Sequence, residues 1–197
     1  MPRIGAQTMR RKALIDAAIL TIGEQGSLDV SVREIANRAG MSTALAFHYF
    51  GDKDEIVSQT MRHLMRVFSN EVRFRLLLAV TPRDRVDAII RASFATSQFE
   101  RTTIAAWLVF YLRAYSSHKA ARLLQVYSSR LRSNLVHALS PLAARRDSRE
   151  IAEGLAAMID GLYVRHALRP AGPDAAEAIA QCQSFIEHRL LRNPARK

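Results

Sequence analysis

One cysteine, Cys182, stands in 197 residues. The chain can close no disulfide on itself and can build no zinc site from cysteine pairs, a usage that fits a reducing cytosol better than secretion. Long apolar runs are missing too. The longest, Ile104 to Leu112, has nine residues, where a spanning helix needs about 20. The opening MPRIGAQTMRRKAL carries charge but no apolar stretch of signal-peptide length, so the chain reads as cytoplasmic with no membrane span. Catalytic signatures are absent as well: there is no G-x-S-x-G, no P-loop, no G-x-G-x-x-G and no H-E-x-x-H, which argues against an enzyme and against a nucleotide cofactor. The six histidines, at 48, 63, 118, 137, 166 and 188, include no pair at i, i+3 or i+4, so no helix-borne metal site is indicated.

What is present is an ordinary globular composition, with 49% hydrophobic and 24% charged residues, and a net charge of +11. A basic excess of that size attracts nucleic acid or an anionic membrane without specific contacts. Its distribution does not choose between them. Residues 1 to 53 hold seven Lys or Arg and five acids, so most of the excess lies further along the chain.

Helix signals recur throughout, and no segment alternates with the period of a strand. Ser31 stands three before Glu34, Asp147 three before Glu150 and Asp174 three before Glu177, each a candidate capping box; Thr81-Pro82 adds another start. The punctuation predicts an all-α chain with helices at roughly 8–25, 32–39, 43–49, 53–79, 82–98, 100–116, 118–140, 148–169 and 174–192. The first three are joined by short turns and most of the others are long and amphipathic. A boundary is therefore expected near 52, with a three-helix domain over 1–52 and a helical bundle over 53–197.

Val32, Ile35, Ala36 and Ala39 fall at i, i+3, i+4 and i+7, Gly40 ends that short helix, and Ser42 or Thr43 can cap the next one. Helix, tight turn, helix is the arrangement of a DNA-binding helix-turn-helix, here over Ser31 to Phe50. Any all-helical protein also contains helix pairs joined at a glycine. The flanks favour DNA: Arg10, Arg11 and Lys12 near the start of the first helix, and Lys53 at the start of the fourth, can meet phosphates.

Ile35-Ala36, Ala39-Gly40-Met41-Ser42, Phe47-His48-Tyr49-Phe50 and Asp52-Lys53-Asp54-Glu55-Ile56 resemble the N-terminal domain of TetR-family transcriptional repressors. The resemblance implies that Thr43 to Tyr49 enter the major groove, with phosphates held at Thr43, Tyr49 and Lys53. Ala44 departs from the glycine usual there, and Phe47 from a frequent tyrosine, which removes a hydroxyl. Phe47 can instead touch a thymine methyl or pack. The expected DNA-binding set is Arg10, Arg11, Ser31, Ser42, Thr43, Ala44, Leu45, Phe47, His48, Tyr49 and Lys53.

Beyond residue 53, Trp107, Phe110 and Tyr111 share the most apolar helix and Tyr163 lies in a later one. Core packing explains such residues, and so does the wall of a pocket for a quaternary ammonium group, which aromatic faces attract. Asp160 sits in an otherwise apolar stretch, where it serves a salt bridge, an interface or a ligand cation; Glu100 is the other acid near these aromatics in sequence. Leu155, Ile159, Leu162, Ile179 and Ile186 form apolar stripes on the last two helices. We expect them to make a four-helix seam in a homodimer, since one recognition helix reads too few base pairs and two read a pseudo-palindrome. Met1 to Gly5, Arg10 to Ala17, Ala106-Trp107-Leu108, Ser129 to Val136 and Gly154 to Leu168 resemble the choline-sensing repressors of glycine betaine synthesis within the same family. That resemblance implies a cytoplasmic repressor of the genes that oxidise choline to glycine betaine, binding double-stranded operator DNA and relieved by choline. Two alternatives stay open, a TetR-like repressor answering another small cationic or amphipathic ligand, and a basic membrane-surface protein.

Overall fold

The structure, a computed structural model, describes residues 3–192, and every regular element among them is an α-helix. These are α1 (Arg3–Gln25), α2 (Val32–Arg38), α3 (Thr43–Phe50), α4 (Lys53–Leu78), α5 (Pro82–Ser93), α6 (Arg101–Ser116), α7 (His118–Leu139), α8 (Arg145–Ala167) and α9 (Ala175–Arg192). Met1 and Pro2, part of the block quoted for the resemblance, lie outside the described residues.

Several ends form as local hydrogen bonding dictates. Ser31 closes a full capping box with Glu34, and Thr81 closes one with Asp84 while Pro82 occupies the first turn. The α2–α3 turn is a Schellman motif: the Met41 N–H donates to the Ala36 carbonyl at 2.9 Å and the Gly40 N–H to Asn37 at 3.0 Å, with Gly40 at φ 66°. A side chain at Gly40 would be strained in that left-handed conformation.

Four expectations need correction. Helix α1 begins at Arg3 rather than near residue 8, so Arg10, Arg11 and Lys12 lie inside it and no free helix N-terminus accompanies them. Helix α5 stops at Ser93 rather than 98, and the Ser93 carbonyl accepts the Tyr163 hydroxyl at 2.5 Å in place of a backbone N–H one turn on. Helix α8 begins at Arg145 on an Ala144 cap without a side-chain hydrogen bond, so Asp147 lies in its first turn and closes no box. Ser148 is instead fully buried and donates toward the Leu139 carbonyl at the end of α7 and the Ala143 carbonyl in the turn that follows. Asp174 makes half of its expected box, accepting from the Glu177 N–H at 3.0 Å, while its own N–H donates to His166 Nδ1 at 3.1 Å.

The chain divides into two compact units, one of residues up to Met65 with Arg101–Leu123, the other of Arg66–Glu100 with Leu124 onward. The boundary expected at 52 therefore falls inside the first unit, because α6 packs along α1. Gly23 of α1 makes that approach possible, since a Cβ there would stand 2.1 Å from the Thr102 carbonyl oxygen. The first unit is cored by Leu14, Ala18, Ile22, Ile35, Ile56 and Ile104, the second by Ile89, Phe94, Leu135, Leu139, Ile151 and Leu155.

Candidate nucleic-acid interface and effector site

Helix α3 is short, about 12 Å at the usual rise per residue, and is fastened at both ends. Ser42 Oγ accepts from the Leu45 N–H at 3.2 Å, and the Gly51 N–H closes the other end on Phe47 at 2.7 Å. Ala46 and Phe50 are buried against the unit. Ala44, Phe47 and His48 are exposed at i, i+3 and i+4, so they share the outward face, with Phe47 44% exposed. Thr43, Leu45 and Tyr49 are half-buried at its margins. Ser31 and Ser42 act as caps, and Lys53, half-buried, opens α4 after Asp52 accepts the Glu55 N–H at 2.7 Å.

The basic residues of α1 divide by what they touch. Arg10 is exposed. Lys12 pairs with Asp16 at 2.6 Å. Arg11 turns toward α3, donating from Nη2 to the Tyr49 carbonyl at 3.0 Å with its guanidinium carbon 5.3 Å from the Phe50 ring centre. Arg38 pairs with Glu24, joining the ends of α1 and α2 and holding the Glu24 carboxyl below its ordinary pKa.

Further ion pairs tie the first turn of α4 to later helices of the same unit, Arg113 to Asp54 at 3.2 Å and Lys119 to Glu55 at 2.7 Å. The Lys119 ammonium and then the Gln59 amide hold Glu55 below the usual carboxylate range. Sequence reasoning missed both pairs, because their partners lie 59 and 64 residues apart.

The expected ligand residues fall in both units. In the first, Trp107 and Phe110 are buried and Tyr111 is half-buried, and the Trp107 and Tyr111 rings lie 6.2 Å apart. In the second, Tyr163 is buried among Phe99 at 5.2 Å and Phe94 at 6.0 Å. Tyr127, also buried, meets Phe68 edge-on at 5.2 Å. Burial pushes the Tyr127 phenol up, and the negative charge of Asp160 pushes it further. Tyr163 is raised by burial, then by Tyr127 and by Asp160. Asp160 itself is half-buried. Glu100 is exposed, where water screens its charge. Phe68, Phe94, Phe99 and Tyr127 were not singled out from the sequence, since core and pocket aromatics share one helical period.

The expected seam also needs correction. Leu155, Ile159, Leu162 and Ile186 are buried within the single chain and Ile179 is half-buried, so these side chains serve the chain's own core. The outward face of α8 is different: Ala157, Gly161, Val164 and Leu168 are exposed at successive spacings of four, three and four. That is the repeat of a helix-packing seam. On α9, Ala176, Ala180 and Leu191 are exposed.

No helix is long and apolar enough to cross a membrane, and no cluster of three His, Cys, Asp or Glu suited to a metal occurs, both among the described residues.

Comparison with known proteins agrees with this geometry. Residues 14–60 match the profile of bacterial regulatory proteins of the tetR family, and residues 82–191 match that of the C-terminal region of BetI-type transcriptional repressors. The HTH-type transcriptional regulator BetI of Brucella abortus (strain 2308) is 51% identical over 195 residues, covering 99% of this chain and 98% of its own. That of Agrobacterium fabrum is 46% identical, covering 98% and 94%. Among solved structures, a protein from Saccharomonospora viridis in complex with choline superposes with a TM-score of 0.82 over 96% of this chain and 100% of its own, at 20% identity. A transcriptional regulator from Rhodococcus sp. Rha1 gives 0.81 over 95% and 99%, at 21% identity. At those identities the structural likeness speaks for the fold. With half its residues shared with BetI regulators over nearly its full length, the chain belongs to the TetR family of transcriptional repressors, in its BetI-type branch.

Proposed function

We propose that the chain is a homodimeric repressor of choline-to-glycine-betaine genes that choline releases from a pseudo-palindromic operator. What supports the choline reading is the BetI-type C-terminal region, together with a half-buried Asp160 whose negative charge is felt at the buried Tyr127 and Tyr163 phenols. A quaternary ammonium cannot shed its charge by losing a proton. It needs aromatic faces, each contributing about 0.5 to 2 kcal/mol when desolvated, and a counter-charge. Asp160, Tyr127 and Tyr163 supply both within one unit, and Trp107 with Phe110 and Tyr111 form a second aromatic set in the other.

On the DNA side, Ala44, Phe47 and His48 read base edges while Thr43, Tyr49, Lys53 and Arg10 position the helix on phosphates. The dimer forms through the exposed faces of α8 and α9, with small Ala157 and Gly161 allowing close approach. Choline acts by favouring the form whose two recognition helices no longer match successive major grooves, about 34 Å apart. A tenfold loss of operator affinity requires about 1.4 kcal/mol of coupling.

The test is calorimetry of the intact protein with choline, alongside binding to a duplex that the protein selects from a random library. Choline should give a saturable heat and lower the duplex affinity, and Asp160→Asn should weaken choline at least tenfold. No heat replaces the ligand. Undiminished affinity in Asp160→Asn, set against loss in Trp107→Ala with Tyr111→Ala, moves the site to α6.

A further inference from the structure

We infer that Arg11 is a positioning residue for the recognition helix, one that sets base preference without holding a phosphate. The inference rests on the DNA-reading role proposed above for α3. An eight-residue helix has little stability of its own, so the direction of its outward face depends on how its ends are held. Ser42 holds the first turn. At the other end a single guanidinium makes two contacts of different kinds, a hydrogen bond to the Tyr49 carbonyl at 3.0 Å and a face-on approach to the buried Phe50 ring at 5.3 Å. The planar fork of arginine makes both at once, whereas an ammonium on a flexible stem is a point charge that does not reproduce the pair. A cation at a helix C-terminus is also favoured by the dipole and answers a carbonyl at the end of the ladder.

Side-chain reach separates Arg11 from its neighbours. All three are exposed, but Lys12 is bound to Asp16 on its own helix and Arg11 is the one whose hydrogen bond runs from α1 to α3. Arg11 is itself exposed, so its contacts to Tyr49 and Phe50 alone do not tell whether it also meets a phosphate. Phosphate and positioning roles predict opposite outcomes for the same substitutions.

The experiment compares Arg11→Lys and Arg11→Ala with the unaltered protein, first by hydrogen exchange without DNA. Both variants should exchange the amides around Tyr49 to Gly51 at least tenfold faster, with mid-α1 protection unchanged. They are then bound to the selected duplex and to a scrambled one over a salt series. The ratio of the two affinities should fall at least tenfold in both variants. Affinity for the scrambled duplex and its salt slope should stay as in the unaltered protein, because no phosphate contact is lost. A phosphate ligand would behave otherwise: Arg11→Lys would restore binding, and Arg11→Ala would shallow the slope by about 0.9 for each phosphate released while keeping the ratio. Either of those results, or unchanged exchange at the end of α3, overturns the inference. Failure of the unaltered protein to select any duplex would refute the DNA-reading function instead, and the exchange measurement would still decide the role of Arg11 in holding α3.

Discussion

Replacing Gly23 by alanine tests the packing of the first unit most sharply, because two effects of known size oppose each other. In an exposed helix interior, alanine is worth about 1 kcal/mol more than glycine, so an unopposed methyl would stabilise the protein. Here the methyl would stand 2.1 Å from the Thr102 carbonyl oxygen and 2.7 Å from its carbon, where ordinary contact begins near 3.4 Å. Helices α1 and α6 would have to part by about 1.3 Å, and the obstructing atoms are backbone, which cannot rotate away. Overpacking of this kind costs about 1 to 3 kcal/mol, and more where backbone blocks relaxation. With backbone as the obstacle the cost lies at the upper end, about 2 to 3 kcal/mol, so the net expectation after the helix-propensity gain is a loss of about 1 to 2 kcal/mol, or a Tm lower by about 2 to 8 °C for a chain of this length. Thermal unfolding followed by circular dichroism at fixed protein concentration measures it, and Thr102→Ala added to Gly23→Ala should give no rescue, since the side chain is not the obstacle. A Tm equal to or above that of the unaltered protein would refute the close approach of α1 to α6.

Three further expectations follow from the same geometry. Glu55 is held below the usual carboxylate range by Lys119 and Gln59, so its contribution to stability is present above that range and lost as pH falls through the lowered value; Glu55→Gln should flatten the acid limb of a Tm-against-pH curve. Cys182 is buried and its thiol is pushed up to about 12, so iodoacetamide at pH 8 should leave the folded protein unmodified and label it in denaturant, and rapid labelling of folded protein would contradict the burial. Ala157→Glu, on the outward face of α8, should convert a dimer to monomer in sedimentation at micromolar concentration with helix content kept, whereas an unchanged mass would place the seam elsewhere.

Much of the helix-turn-helix part was legible in the sequence for one reason: its determinants are local. The Ser31–Glu34 box, the Gly40 turn and the Ser42 cap join residues three to five apart, and the outward set of Ala44, Phe47 and His48 follows from helical spacing. The candidate effector residues were less legible. Helical period marks Trp107 and Tyr163 as apolar-face residues but does not say which aromatics meet across helices, as Tyr127 meets Phe68.

By itself, then, the sequence determined the helical class, most helix positions and the Ser31–Glu34, Gly40 and Ser42 turn chemistry, since each rests on hydrogen bonds and side-chain pairs within about one helical turn. The tertiary structure decided where long-range partners override local preference. The Ser93 carbonyl that α5 leaves unpaired at its end accepts from a tyrosine 70 residues away, and Arg11 meets Tyr49 and Phe50, 38 and 39 positions on in the chain. Leu155, Ile159 and Leu162 belong to the chain's own core and leave Ala157, Gly161, Val164 and Leu168 outward, because periodicity shows that a face is apolar but not what covers it.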